Sequence, residues 1–273
     1  MNGRPRLLLS DVDGTLVTPE KLLTPRSIRA VNELRDAGIA FAITSARPPQ
    51  GLRRFVEPLG LTTPLGAFNG GVLVNDDLTL IEERTIPDDL VAPLIELLTS
   101  HAMSIWVFRR DEWYVLDPDG PHVAQEALIY EGDPITLADF GGLVGGVNKI
   151  VGVSDDAAAS VAAWEAAVAQ FGAHVSATRS QTYYLDVTHP DANKGSVVRY
   201  LAKRFGIATN EIATIGDMHN DVSMFEASGM SIAMGNADPT VQRAARAVTS
   251  SNAQEGFARA VAEFILSSEP SSK

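Results

Sequence analysis

No cysteine occurs anywhere in the 273 residues, so disulfide bridges and thiolate metal ligands are excluded. Basic residues are in the minority, with 22 Lys and Arg against 34 Asp and Glu and a formal net charge of -12. Such a chain lacks the basic faces that broad binding to nucleic acid or anionic membrane requires. It still admits a phosphorylated small molecule, because the local charge of a cleft can oppose the global sign. No apolar run approaches the ~20 residues needed to span a bilayer. The leucines Leu7-Leu8-Leu9 are too few for the apolar region of a signal peptide and run straight into Asp11. The default expectation is a soluble cytoplasmic protein, with monomer or homodimer left open. Hydrophobic residues make up 45% of the chain, enough for a substantial core in one large domain or two modest ones.

The ends of the chain alternate strand and helix. Leu7–Asp11 reads as a buried parallel strand. Thr24-Pro25 offers an N-cap followed by proline at the first helical position, and the helix runs to Ala37, stopping at Gly38. Ala40–Thr44 and Leu65–Phe68 read as further strands, and Asn69-Gly70-Gly71 as a tight turn into Val72–Val74. The rhythm resumes with a helix over Lys194–Phe205, strands over Ile212–Ile215 and Ser231–Met234, and a terminal helix over Phe257–Leu266. Ser267–Lys273 reads as a polar tail.

The middle has a different texture. Pro87–Ser100 looks helical, and Ser104–Phe108 pairs with Trp113–Leu116 around a charged turn. Asp156–Phe171 is an Ala-rich helix whose apolar residues Val161, Trp164, Val168 and Phe171 recur at helical spacing. Tyr183–Val187 looks like a strand. The simplest architecture is a discontinuous α/β core, residues 1–84 and 189–273, with an α/β domain inserted over residues 85–188.

Asp11-Val12-Asp13-Gly14-Thr15 is the most informative segment. Two carboxylates one residue apart sit where a buried strand ends, and in open α/β sheets that carboxyl edge is where ligands bind. A site that attacks phosphorus and also protonates a leaving oxygen needs two acids with different tasks. Three further segments at strand ends carry chemistry: Thr44-Ser45-Ala46-Arg47, Asn193-Lys194-Gly195 and Gly216-Asp217-Met218-His219-Asn220-Asp221.

In order, spacing and company these four segments resemble the haloacid dehalogenase superfamily. Within it they resemble the Cof-type phosphatases, relatives of sucrose-phosphate phosphatase and phosphomannomutase. The resemblance extends over the core, including Phe68-Asn69-Gly70-Gly71 and Met234-Gly235-Asn236-Ala237. It implies a Rossmann-like, doubly wound parallel-sheet core with an inserted α/β cap that closes over the site and sets specificity. It also implies roles. Asp11 is the nucleophile that forms an aspartyl-phosphate, Asp13 the acid and then the base, and Lys194 the lysine joining nucleophile and phosphate. Ser45 and Arg47 bind phosphate, and the Asn69-Gly70 turn contacts substrate. Mg²⁺ is held by Asp11, the main-chain carbonyl of Asp13, Asp217 and Asp221. Two departures stand out. Ser45-Ala46-Arg47 replaces the usual Thr-Gly-Arg, so a one-residue slip would hand the hydroxyl role to Thr44. His219 is not dictated by the pattern and is expected to face solvent.

A charge count supports the grouping. Ionised Asp11, Asp217 and Asp221 with Lys194 leave the site at roughly -2, and like charges about 4 Å apart cost on the order of 4 kcal/mol per pair at an effective dielectric near 20. A phosphate dianion needs a divalent cation there, and oxygen ligands suit Mg²⁺. Each residue also has a structural reading. Lys194 starts a helix, Asp217 caps one, Asp221 lies on a solvated face, Ser45 is a capping hydroxyl and Asn69-Gly70 is an ordinary turn. All of these holding together is the weaker explanation.

In the insertion, Trp106, Arg109, Arg110, Trp113, Tyr183 and Tyr184 are candidates for a sugar-facing surface, with packing or plain exposure the expected fate of each. The expected function is Mg²⁺-dependent hydrolysis of a small phosphorylated metabolite, a sugar phosphate first. A phosphomutase of the same superfamily and a non-catalytic sugar-phosphate-binding protein are the alternatives.

Overall fold

The structure is a computed structural model and describes residues 4–143 and 145–267. The chain opens with strands β1 (Leu7–Asp11), β2 (Ala40–Thr44), β3 (Leu65–Ala67), β4 (Val72–Val74) and β5 (Leu80–Glu83). The middle adds β6 (Ser104–Arg109), β7 (Glu112–Val115), β8 (Ile135–Thr136), β9 (Lys149–Val153), β10 (Ser176–Arg179) and β11 (Tyr184–Thr188). It returns with β12 (Ile212–Gly216), β13 (Met230–Ala233) and β14 (Ala247–Val248). The helices that matter here are α1 (Pro25–Asp36), α2 (Arg53–Leu59), α3 (Asp88–Ser100), α4 (Val123–Tyr130), α5 (Ala157–Phe171), α6 (Lys194–Phe205) and α7 (Val222–Ala227).

Two sheets result. The first runs β14-β13-β12-β1-β2-β3-β4-β5, parallel through β3 and antiparallel across β3–β4–β5. This is the doubly wound α/β core that the resemblance implied. β1 lies between β12 and β2 and is buried along its whole length. Strands covered by helices on both faces must be apolar throughout, which explains the unbroken Leu7-Leu8-Leu9 run. The second sheet, β10-β11-β9-β6-β7-β8, is antiparallel except for β7–β8 and is built from the middle of the chain, which we call the cap.

The helix ends obey local rules. Thr24 caps α1, accepting from the Ser27 amide at 3.1 Å, and Asn193 caps α6, accepting from the Ser196 amide at 3.0 Å. The terminal helix starts at Gly256 and continues through wider turns over Val261–Leu266. The expected polar tail lies, beyond Ser267, outside the described residues.

Two expectations need correction. The third strand ends at Ala67, because Phe68, Asn69 and Gly70 all take positive φ and turn the chain back into β4. In α5 the buried face is Ser160, Ala163, Ala167 and Phe171, so of the expected stripe only Phe171 is buried. Small residues let the helix approach its sheet closely, which leaves Trp164 and Val168 exposed at 37% and 44%. No helix among the described residues is long and apolar enough to cross a membrane.

Since α6 carries Lys194 at its first position, its cap bears on the site. Asn193→Ala is expected to lower the unfolding free energy by about 1 kcal/mol, read by urea titration with circular dichroism.

Candidate active site

Asp11 ends β1 and is 4% exposed. Lys194, at the start of α6, is fully enclosed and bridges two carboxylates: its Nζ lies 2.5 Å from Asp11 Oδ1 and 2.6 Å from Asp221 Oδ1. Asp221 Oδ2 accepts the backbone N–H groups of Asp217 and Met218, both at 2.8 Å, folding the loop after β12 into a tight turn. Asp217 is pinned from two sides, with the Thr15 hydroxyl donating to Oδ1 at 3.2 Å and Asn236 Nδ2 donating to Oδ2 at 3.1 Å.

Carboxylate oxygens of Asp11, Asp217 and Asp221 lie within 4.8 Å of one another. The donor set fits a hard divalent cation. The strongest sign is Asp11 Oδ2, which is buried and has no hydrogen-bond partner. A buried carboxylate oxygen left bare is costly unless something positive or hydrogen-bonding meets it. Asp221 is the least open of the three, since Lys194 and two amides already engage it. The turn is shaped for the group: Gly14 has φ 81°, and a Cβ there would collide with Asp217 Oδ2.

Asp13 takes a different place. Its carboxylate is outside the acidic trio and accepts two bonds from Arg47, at 2.7 and 2.8 Å, with Lys21 Nζ 2.9 Å away. Burial works against the charged form, but Arg47 and then Lys21 outweigh it and hold the carboxyl far below the ordinary range. Arg47 is thus beside Asp13.

Ser45 is 1% exposed, lines the cleft and accepts the Arg47 amide at 3.1 Å through Oγ. Thr44 does not line the cleft; its hydroxyl is buried against Gly66. Ala46 is not among the residues with positive φ, so the turn does not need the glycine that the usual motif carries. Neither Asn69 nor Gly70 lines the cleft. Asn69 Oδ1 instead accepts from Asn220 Nδ2 at 2.9 Å, while Gly70, at φ 90°, packs where a Cβ would lie 2.7 Å from Val197. Asn69 braces the acidic loop from behind. His219 is exposed and borders the cleft mouth.

The cleft has a volume of 640 Å³ and lies between the two sheets, with Asp11, Asp13 and Arg47 on the core side. Tyr183, Tyr184, Trp106 and Trp164 line it from the cap. Trp113 is buried, stacked on Phe108 with centroids 5.9 Å apart. Arg109 and Arg110 lie away from the cleft, and Arg110 pairs with Glu83 of the core at 2.8 Å.

Several functional residues escaped the sequence reading. Lys21 follows a strand-turn-loop stretch with no motif to mark it. Thr15 and Asn236 stand inside quoted motifs, and their side-chain duties appear only in three dimensions. Lys149 and Glu126, which line the cap wall, lie within segments of ordinary composition.

Comparison with known proteins defines the class. Residues 8–261 match the model of the haloacid dehalogenase-like hydrolases, and the chain belongs to that family. Within it, the chain is a phosphatase of the Cof type. It is 27% identical to the pyridoxal phosphate phosphatase YbhA of Escherichia coli, over 96% of this chain and 98% of that one. It is 23% identical to the 5-amino-6-(5-phospho-D-ribitylamino)uracil phosphatase YcsE of Bacillus subtilis, over 96% of each. A solved haloacid dehalogenase-like hydrolase from Bacteroides thetaiotaomicron superposes with a TM-score of 0.84 at 26% identity, covering 95% of this chain and 99% of that one.

The acidic cluster has a consequence for stability. Burial pushes Asp11 up to about 7 against the pull of Lys194, and burial with the charges of Asp11 and Asp221 pushes Asp217 up to about 8, against an ordinary value of 3.8. Between pH 4 and 8 the metal-free folded state therefore holds protons that the unfolded chain has lost, and its stability falls as pH rises. Lys194 is protonated in both states over this window and Asp13 is ionised in both, so neither reverses the sign. Metal-free protein is expected to show a lower Tm at pH 8 than at pH 5.5, and millimolar Mg²⁺ to restore more Tm at pH 8. Differential scanning calorimetry at the two pH values checks this.

Proposed function

We propose that the protein hydrolyses the phosphomonoester of a small metabolite, a sugar phosphate in first place, by phosphoryl transfer to Asp11 with Mg²⁺ as cofactor. The observation that carries this is the asymmetry of Asp11. Lys194 holds Oδ1, while Oδ2 stands bare at the floor of the cleft. A carboxylate with one oxygen anchored and the other free is oriented for attack on phosphorus.

Asp11 Oδ2 forms the new bond to phosphorus as the bond to the leaving alcohol breaks. The Ser45 hydroxyl and the Arg47 guanidinium hold the phosphoryl oxygens. Asp13, ionised at rest, takes up a proton from solvent once its bonds to Arg47 and Lys21 loosen, passes it to the departing oxygen, then takes one from the water that attacks phosphorus and releases the Asp11 carboxylate. Asp13 begins bound to Arg47 and Lys21, so those bonds must loosen before it can carry a proton. The incoming phosphate offers Arg47 a competing anion, which frees one side. The Asp11 oxygen that does not attack phosphorus, Asp217 and the main-chain carbonyl of Asp13 would hold Mg²⁺, with Asp221 supporting them. When bound, Mg²⁺ offsets the site's negative charge and polarises a phosphoryl oxygen. The named relatives act on pyridoxal phosphate and on a ribitylaminouracil phosphate, both small phosphorylated metabolites.

Pure protein incubated with a panel of sugar phosphates should release inorganic phosphate only with Mg²⁺ present, and chelator should abolish release. An isomerised product without release would indicate a mutase, and binding with neither a sensor. Asp11→Asn is expected to reduce turnover to background. Asp13→Ala should lower kcat by about 10²–10⁴-fold while phosphate binding persists. Steady-state kinetics with a phosphate-release assay reads both.

A further inference from the structure

The cap wall of the cleft carries charge on a sheet face that is otherwise apolar. Across β9, β6 and β7 the row Lys149, Phe108, Trp113 lies two residues from the row Val151, Trp106, Val115, so both rows point the same way. β11 extends the second row with Asp186. Five of those residues are aromatic or aliphatic core; Lys149 and Asp186 interrupt them at 9% and 1% exposure. Lys149 Nζ lies 3.0 Å from Asp186 Oδ2, yet it is not aligned for a hydrogen bond, and neither carboxylate oxygen of Asp186 has a hydrogen-bond partner. A buried pair so poorly satisfied is a weak stabiliser, and apolar residues of similar volume would serve the fold as well.

Lys149 also lines the cleft, and so does Glu126 of α4. Glu126 lies in the fields of Lys149, Asp186 and Arg47. No hydrogen bond joins its carboxyl to a described residue. The cap therefore presents a cationic donor and an anionic acceptor together on the wall of the cleft, with Glu126 near enough to Arg47 to feel its charge.

We propose that Lys149 and Glu126, with Asp186 holding Lys149 in place, select the leaving group, and that they select a neutral, polyhydroxylated one. This rests on the phosphatase reading of the same cleft. A second anionic group on the substrate would meet Glu126. An ammonium group would meet Lys149 and Arg179, both on the wall. An apolar chain would strip water from Lys149 and Glu126 and return no hydrogen bonds. A hydroxyl both donates and accepts, so adjacent hydroxyls can give to Glu126 and take from Lys149 at once. The volume of 640 Å³ leaves room for such a group beyond the phosphate. Lys149 and Glu126 are the specificity residues; Asp186 is a positioning residue.

The test compares kcat/KM of the Mg²⁺-loaded enzyme across matched phosphates. The hydroxylated set is ribitol 5-phosphate, glucose 6-phosphate and erythrose 4-phosphate. The competitors are n-butyl and n-hexyl phosphate, glucosamine 6-phosphate, 6-phosphogluconate and pyridoxal 5′-phosphate. The wild type is expected to prefer at least one neutral hydroxylated substrate over every competitor by about 100-fold. Lys149→Met and Glu126→Gln should each cut that ratio by about tenfold or more. Asp186→Asn should cut it as well, and Asp186→Glu should restore part of it.

A merely structural role lowers all substrates alike and leaves the ratio unmoved, which overturns the proposal. So does a wild type that prefers an alkyl, charged or pyridoxal substrate. If Lys149→Met does not fold, the double variant Lys149→Met/Asp186→Leu removes both buried charges and gives the same readout. Absence of Mg²⁺-dependent hydrolysis on every substrate brings down the phosphatase reading and this proposal with it. Hydrolysis without the preference brings down this proposal alone.

Discussion

Lys194 is the one interaction on which the rest of the structure depends. It sits at the start of a helix, where its charge opposes the helix dipole, and it is buried. Two carboxylates from different parts of the chain, Asp11 and Asp221, make that position tenable. Removing one partner of such a buried pair typically costs about 3–5 kcal/mol, because a bare charge is left behind. The end of β1, the first turn of α6 and the loop after β12 are thereby locked into a single arrangement.

That arrangement leaves the cleft floor unfinished. Lys194 and the loop amides take up Asp11 Oδ1 and all of Asp221, while Asp11 Oδ2 has nothing to bind. Asp13 stands apart with its proton affinity suppressed by Arg47 and Lys21. Two aspartates one residue apart thus hold opposite electrostatic positions, one raised by burial and one lowered by cations. Such separation is how paired carboxylates come to perform different tasks.

Much of the core was legible because its signals are local. A continuous apolar run ending in Asp-x-Asp-Gly-Thr marks a buried strand and its carboxyl edge. Thr24-Pro25 and Asn193 mark helix starts by capping chemistry that operates over three residues. The cap was less legible. Its α5 stripe misled, since periodicity finds the larger apolar residues while packing against a sheet selected the small ones. The Asn69-Gly70 turn was recognised as a turn, but sequence does not say which side of the site a turn faces. Lys149 opens an apolar strand, and its partner Asp186 lies 37 residues further on, brought alongside only by antiparallel pairing of β9 and β11.

The sequence by itself determined the alternation of strand and helix, the family, and which acidic and basic groups the core site would draw on, because motif spacing and capping are short-range properties. Tertiary structure alone decided which Asp11 oxygen stays open, that Ser45 rather than Thr44 faces the cleft, and that Lys21 meets Asp13. It also decided which residues of the second sheet and its helices line the cleft. Those outcomes follow from the register of strands distant in the chain and from the seating of one sheet over another, and no local pattern encodes either.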